Sequence, residues 1–353
     1  RAGINIGSGC WGGHVIEFCD IFDTVKETGD HGSFNSWGRD RFWRPNIGEV
    51  NAWVKQAPEL PLLDVVKPIV LANNRWRCDH GWDIDLDDGS SNYIITNNLC
   101  LSGGIKLREG YRRVVENNIL VNNGGHPHVW YAECADIFRR NIIWTEYQPA
   151  HMPPLPWGAA MNSNLMHDIN AATNMPATRL QQQSGRDTQS IVADAQFLDP
   201  VRGDYRVKAN SPALKLGFVN FPMDQFGVRK PELKAIARTP QLPQARNSAP
   251  VVATRAADSM TWLGARVRNI TSEGEMSAFG LSGVTGVLVL EIPAGSPLAK
   301  AGLSKNDVIL FVNGAKTTDT AALIRHAPAL PAGSSLKLSA SRDQKEIVIE
   351  VAL

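Results

Sequence analysis

Hydrophobic positions in the first half of the chain come in short aliphatic or β-branched runs that stop repeatedly at asparagine. Four such runs end in related turns: IVLANN (69–74), YIITNN (93–98), RVVENN (113–118) and DIFRRN (136–141). Their last asparagines fall at 74, 98, 118 and 141, in steps of 24, 20 and 23 residues. EFCD (17–20) is an earlier turn of the same kind. A period of this length, with three short strands per repeat, predicts one coil of a parallel β-helix. Asparagine suits the breaks because it tolerates left-handed backbone angles, and stacked Asn side chains can hydrogen-bond from coil to coil. Leucine-rich repeats share the period, but the sequence lacks their L-x-x-L-x-L pattern and their helix.

The pattern weakens between about 145 and 185, where HMPPLPW is turn-rich and NAATNMPATRLQQQ suggests a short helix. SIVADAQFLDPVRGDYRVKANSPALKLGF (190–218) returns to strands and is expected to form the last coil and its cap, since a solenoid must cover its apolar end. Residues 229–259 are rich in Pro, Ala and charge without any period, which predicts a linker. From Thr261 the text changes character again. The expected organisation is mainly β: a parallel β-helix over 1–228 lacking its N-terminal coils, a linker at 229–260, and a small domain over 261–353.

Composition alters this picture little. Lysine plus arginine (36) nearly balances aspartate plus glutamate (35), so no charge field points to nucleic acid or an anionic membrane. The longest apolar runs, such as GVLVLEI, fall far short of the roughly 20 residues of a spanning helix. The chain opens at Arg1 with neither methionine nor signal peptide; a secreted or periplasmic protein is the expectation. Five cysteines, none in C-x-x-C, are expected to serve mostly as buried thiols, with one disulfide permitted in an exported protein. Nine of ten tryptophans and seven of eight histidines precede residue 170, which puts the candidate site in the N-terminal part.

Three segments carry the candidate chemistry: WDIDLDDGS (82–90), GGIKLREGY (103–111) and PHVWYAEC (127–134). Registering Gly89 on Gly110 stacks Ile84 on Ile105 and Leu86 on Leu107, facing the core. Asp85 and Asp87 then face outward over Lys106 and Arg108, with Asp88 over Glu109 at the strand end. In the third segment His128 and Trp130 continue the outer rows and Val129 the inner one, with His126 nearby. Three aspartates in four positions repel one another, and aromatic and imidazole groups on the same face are what sugar binding uses. Carboxylates one coil apart would be separated by about 5 Å, near the spacing of retaining glycosidases. Asp87 or Asp88 with Glu109 is the expected catalytic pair, with Asp85 beside it. A Gly-rich loop about two coils earlier, TGDHGSFNSWGRDRFW, supplies Asp30, His31, Asn35, Trp37 and Arg39 as a second groove wall, and Asp40 as an alternative second carboxylate.

The C-terminal text resembles the PDZ domains of bacterial HtrA-type proteases, through W-L-G-A (262–265), A-G-S-P-L-A-K-A-G-L (294–303) and N-D-V-I-L-F-V-N-G (306–314). The resemblance implies that backbone N–H groups at Leu263, Gly264 and Ala265 capture a peptide C-terminus, which adds as a strand beside the helix DTAALIRHA (319–327). No G-x-S-x-G or Ser/His/Asp set precedes this region, so a protease is not expected.

Residues 1–220 resemble bacterial right-handed, pectate-lyase-like β-helix glycoside hydrolases, those of glycoside hydrolase family 141 most closely. The resembling stretches are GDHGSFNSWGRDRFW, HGWDIDLDDGSSNYIITNNLCLSGGIKLREG, VVENNILVNNGGHPHVW and SIVADAQFLDPVRGDYRV. The resemblance implies a retaining enzyme on plant polysaccharide or oligosaccharide, of α-L-fucosidase or xylanase type, with two acidic catalytic residues and no cofactor. Two other readings stand beside it. A polysaccharide lyase would hold Ca²⁺ on Asp85, Asp87 and Asp88 and use Lys106 or Arg108 as base. A non-catalytic solenoid would bind carbohydrate or protein and dock through the PDZ-like domain.

Overall fold

The computed structural model describes residues 1–154, 156–171, 186–247, 259–327 and 333–352. Most of the helix suggested by NAATNMPATRLQQQ lies outside these residues. The chain divides into two compact units, Arg1–Arg44 with Gly48–Val252, and Ala253–Leu353 with Pro45–Ile47.

The first unit is built from three parallel sheets of five, six and seven strands. The chain visits them in rotation. Ile69–Ala72 lies in the second sheet, Arg75–Trp76 in the third and Trp82–Asp87 in the first. The next circuit follows with Tyr93–Thr96, Leu99–Cys100 and Ile105–Arg108. The runs that sequence periodicity marked as strands are these strands. Phe34, Ile84 and Ile105 stack on one another, as do Ser36, Leu86 and Leu107, and all six are buried.

The asparagine turns form a ladder. Asn98 Oδ1 accepts from the backbone N and the Nδ2 of Asn74, both at 3.2 Å, and Asn118 Oδ1 does the same for Asn98 at 2.9 and 3.0 Å. Asn141 and Asn164 continue the pattern, which closes on Ser190 Oγ. Cys19 N donates to Asn74 Oδ1, so EFCD is the first rung. The preceding residues Phe18, Asn73, Asn97, Asn117, Arg140 and Ser163 all have φ between 54° and 59°. A repeat that periodicity did not reveal, Ala160–Asn162 followed by Leu165–His167, carries Asn164. Its strands hold few β-branched residues and sit in turn-rich text, which hid them.

Gly32–Trp37 pairs directly with Trp82–Asp87, so the Gly-rich segment is the neighbouring strand rather than two coils away. The long interval in sequence comes from an excursion that contains the helix Ile47–Gln56. Ile191–Ala193 extends the third sheet, and the antiparallel pair Phe197–Asp199 and Asp204–Val207 follows it. Phe218, Phe221 and Phe226 pack with Leu165 and Tyr205 in one apolar cluster there. Part of the expected linker lies along this unit: Trp144 Nε1 donates to Arg246 O, and Asn122 bonds Gln244 O and Arg246 N. Side chains thus satisfy a backbone whose own sequence shows no period.

The second unit is an antiparallel sheet from Met260–Trp262 to Lys345–Ala352, around a core that includes Trp262, Val289, Leu323, Leu338 and Val351. Its helix Thr320–His326 falls where expected and is capped by Asp319, which accepts from Ala322 N at 2.7 Å. All five cysteines are free thiols, with Cys78, Cys100 and Cys134 buried. Among the described residues no helix is long and apolar enough to cross a membrane.

The buried Asn118 side chain makes five hydrogen bonds, to Asn98, Ile95, Glu116 and Asn141, so Asn118→Ala leaves several polar groups unpaired. A loss of about 3 kcal/mol is expected in urea unfolding, while an exposed control such as Asn170→Ala should lose about 1 kcal/mol or less.

Candidate active site

Strand alternation sends every second residue of the first sheet away from the core, and parallel register turns those residues into two rows. One row is Asn35, Asp85, Lys106 and His126; the other is Trp37, Asp87, Arg108 and His128. The register of Asp85 on Lys106 is the one expected. The third strand differs by a shift: Gly125–His128 places His126 and His128 on the rows and Pro127 opposite Leu107. Val129 and Trp130 lie past the strand end. Trp130 is buried, donates from Nε1 to Leu107 O at 2.8 Å and leaves the candidate site.

Apart from Trp37, which is exposed, and Asp87, which is partly so, the residues of these rows are buried rather than solvated. Lys106 is fully enclosed, with Nζ 3.1 Å from Asp85 Oδ1 and 3.2 Å from Asp87 Oδ1. The Trp82 ring covers it at 4.2 Å, and Asp30, about half exposed, stands 3.9 Å away. Arg108 lies between Asp87, Asp88 and Glu109.

Segment 37–43 grips the strand ends. Trp37 Nε1 and Arg39 Nε both donate to Asp88 Oδ2, at 3.1 and 2.8 Å. The Arg39 guanidinium sits over the rings of Trp37 (4.4 Å) and Trp43 (4.6 Å). Trp43 Nε1 donates to Glu109 Oε2 at 2.5 Å. Gly38 permits this close approach, because a Cβ there would lie 2.8 Å from Ser90 Cα. Trp43 and Trp82 escaped the sequence reading. Trp82 shares strand parity with the inner aliphatics, and nothing local in the sequence marks the contact that Trp43 makes.

Asp40 does not join this group: its Oδ1 accepts from Gly9 N at 2.7 Å, and its charged neighbours are Asp64 and Arg41. His31 bonds Thr28 Oγ1 through Nδ1, and Asn35 turns to Asn5 Oδ1.

Electrostatics separates the carboxyls. Burial pushes Asp85 up to about 8, against the pull of Lys106. Burial acts on Asp87 too, but Lys106 and Arg108 outweigh it and hold Asp87 below the ordinary carboxylate range. Burial raises Glu109 to about 7, partly countered by Arg108 and reinforced by Asp88. Burial and Lys106 depress His126 to about 4, and His128 lies well below the ordinary imidazole value.

A Ca²⁺ ion does not fit these aspartates. Lys106 Nζ stands between Asp85 and Asp87, and Asp88 is held by Trp37 and Arg39. Among the described residues, no group of three or more His, Cys, Asp or Glu side chains is arranged to hold a metal ion.

In the second unit, Leu263 and Gly264 form a two-residue turn between Met260–Trp262 and Ala265–Asn269. Thr320 N at the start of the nearby helix donates to Asn269 Oδ1 at 2.7 Å.

Comparison with known proteins bears on this second unit. Residues 261–353 match the family described as PDZ domain. A "Probable periplasmic serine endoprotease DegP-like" of Rhizobium meliloti (strain 1021) is 35% identical over 95 residues, 27% of this chain and 19% of that protein. Its namesake in Pseudomonas fluorescens is 36% identical over 95 residues, 27% of this chain and 20% of that protein. The chain therefore spans about a fifth of the length of these relatives. Among solved structures, the HtrA3 PDZ domain bound to a phage-derived ligand (FGRWV) is similar at 25% identity and a TM-score of 0.22, covering 27% of this chain and 85% of that one. HtrA-type protease AlgW with decapeptide follows at 24% identity and a TM-score of 0.23, covering 27% and 29%. The C-terminal unit is a PDZ domain of HtrA type.

Lys106→Met removes the cation that lies between the Asp85 and Asp87 carboxylates. A loss of about 3–5 kcal/mol is expected near neutral pH by denaturant unfolding. The loss should grow above about pH 8, where Asp85 ionises, and shrink in acid, where Asp87, no longer held down by Lys106, takes up a proton and does not need the cation. A loss that stays constant from neutral pH down to about pH 3 would contradict this placement.

Proposed function

We propose that the first unit is a right-handed parallel β-helix and a retaining glycoside hydrolase acting on plant-type polysaccharide or oligosaccharide, of α-L-fucosidase or xylanase type. The observation that carries the reading is the opposite proton affinity of two neighbouring strand-end carboxyls: Asp87 is held ionised and Glu109 is pushed up to about 7. A retaining glycosidase needs this division. Asp87 attacks the anomeric carbon to form a glycosyl ester while Glu109 gives its proton to the leaving oxygen. Glu109, now a base, takes a proton from the water that hydrolyses the ester. Adjacent strands are spaced about 4.8 Å apart, near the roughly 5–5.5 Å carboxyl separation of such enzymes; Asp88 is the register counterpart of Glu109, and Asp87 stands one residue off that register, with Arg108 beside both Asp87 and Glu109. Asp88, already bound to Trp37 and Arg39, is the weaker candidate for nucleophile. Trp37, 47% exposed, offers an aromatic surface to a sugar ring.

For the PDZ domain the reading is capture of a peptide C-terminus at Leu263, Gly264 and Ala265, in the manner of strand addition. The curated relatives are named periplasmic, and we place this protein in the same compartment.

The test is a panel of aryl-glycosides and plant polysaccharides, with reducing sugar and the ultraviolet absorbance of unsaturated products followed together. Reducing ends without absorbance are expected; absorbing product would mean a lyase, and no turnover on any member would favour a binding solenoid. Asp87→Asn and Glu109→Gln should each lower kcat by at least about a hundredfold with the fold retained. Wild-type rates in either variant would remove that residue from the pair.

The pH dependence of kcat/KM has a defined sign. Activity requires ionised Asp87 and protonated Glu109, so it should fall above about pH 7 and persist down to about pH 4 or below. A profile that rises through pH 7 would contradict the assignment.

A further inference from the structure

The peptide site of the PDZ domain depends on the edge of one strand, and that edge is in use. Ala265–Asn269 pairs with Val287–Glu291 on one side, through Arg266, Val267, Arg268 and Asn269. On its other side it pairs with Met260–Trp262, in the register Met260 to Val267, Thr261 to Arg266 and Trp262 to Ala265. A strand has two hydrogen-bonding edges, and an added peptide needs one of them open.

We propose that Met260–Trp262 is a built-in competitor for the peptide: it holds the edge of Ala265–Asn269 that an incoming C-terminus must pair with, and binding displaces it. The inference rests on the peptide-capture reading given above. Three features suit a strand that is held and also released. It is three residues long, Thr261 is exposed, and Met260 is only partly buried where it packs against the core, so the contacts that oppose its departure are limited to that one side chain and the strand's own hydrogen bonds. Trp262 is buried in the domain core and anchors the hinge end while the other two residues peel away. The connecting turn has φ of 48° at Leu263 and 84° at Gly264, the two positive angles of a tight hairpin. Leucine is a poor residue for that angle, so opening the hairpin relieves backbone strain. Leu263 and Gly264 also belong to the loop that would receive the carboxylate, so the turn that closes the hairpin is the turn that a ligand reshapes.

Met260→Pro in the full chain tests this. Counting from the turn-closing pair Trp262–Ala265, Met260 and Val267 are the next hydrogen-bonded pair, and proline removes the Met260 N–H. The probe is the synthetic peptide FGRWV, titrated calorimetrically into both proteins. Release of the competitor should tighten the apparent Kd about tenfold. Amide exchange gives an independent readout: Val267 N–H should be protected in the unliganded wild type, exposed in Met260→Pro, and protected again when peptide is added, with core amides such as Val351 slow throughout. Equal affinity in the two proteins, or a fast-exchanging Val267 in the unliganded wild type, overturns the proposal. Binding by neither protein overturns the peptide reading as well.

Discussion

Parallel register is the constraint on which the first unit depends. Once the chain returns to each sheet one strand further on, a residue is stacked on its counterparts whether or not that is electrostatically comfortable. Along the Asn98–Asn118–Asn141 turn the stacking is favourable, because each amide satisfies the groups of the rung before it. Along the outer rows of the first sheet it forces Asp85, Lys106 and His126 into line, and Asp87, Arg108 and His128 beside them. Charges held in this way cannot drift apart into solvent. Lys106 compensates Asp85 and Asp87, and the same burial that makes the compensation necessary pushes the carboxyls to different proton affinities.

The arch of residues 37–43 turns this ladder into a candidate site. Trp37, Arg39 and Trp43 form one stack that holds Asp88 and Glu109, which lie at the ends of neighbouring strands. The proposed chemistry needs Asp87 ionised, and its donors are cations, whereas the arch supplies neutral and charged N–H groups to Asp88 and Glu109. Asp88 receives two from the arch, Glu109 receives one, and Asp87 faces Lys106 and Arg108.

Much of this was legible in the residues. The alternation in WDIDLDD and GGIKLREG set the register of Ile84 on Ile105 and Asp85 on Lys106, since a slip of one would have put aspartates in the core. The PDZ domain was legible for a different reason, as a nearly continuous motif. What stayed hidden depends on distance along the chain. The excursion through the helix Ile47–Gln56 separates Gly32–Trp37 from its partner strand, so the contact of Trp43 with Glu109 had no local signal. Asp40 looked like an alternative second carboxylate because it shares the Gly-rich segment with the groove-wall residues Trp37 and Arg39, yet the arch turns it toward Gly9. The shift at Gly125–His128 arose because Pro127, not Val129, fills the inner row.

The central claim is that two adjacent carboxyls in this ladder are held in opposite protonation states without any substrate present. Carbon-detected NMR titration of the side-chain carboxyls, with Asp87→Asn and Glu109→Gln used for assignment, measures this directly. The account predicts a Glu109 midpoint near 7 and an Asp87 midpoint below the usual carboxylate range. Midpoints for both residues within the ordinary range of exposed carboxyls would contradict it.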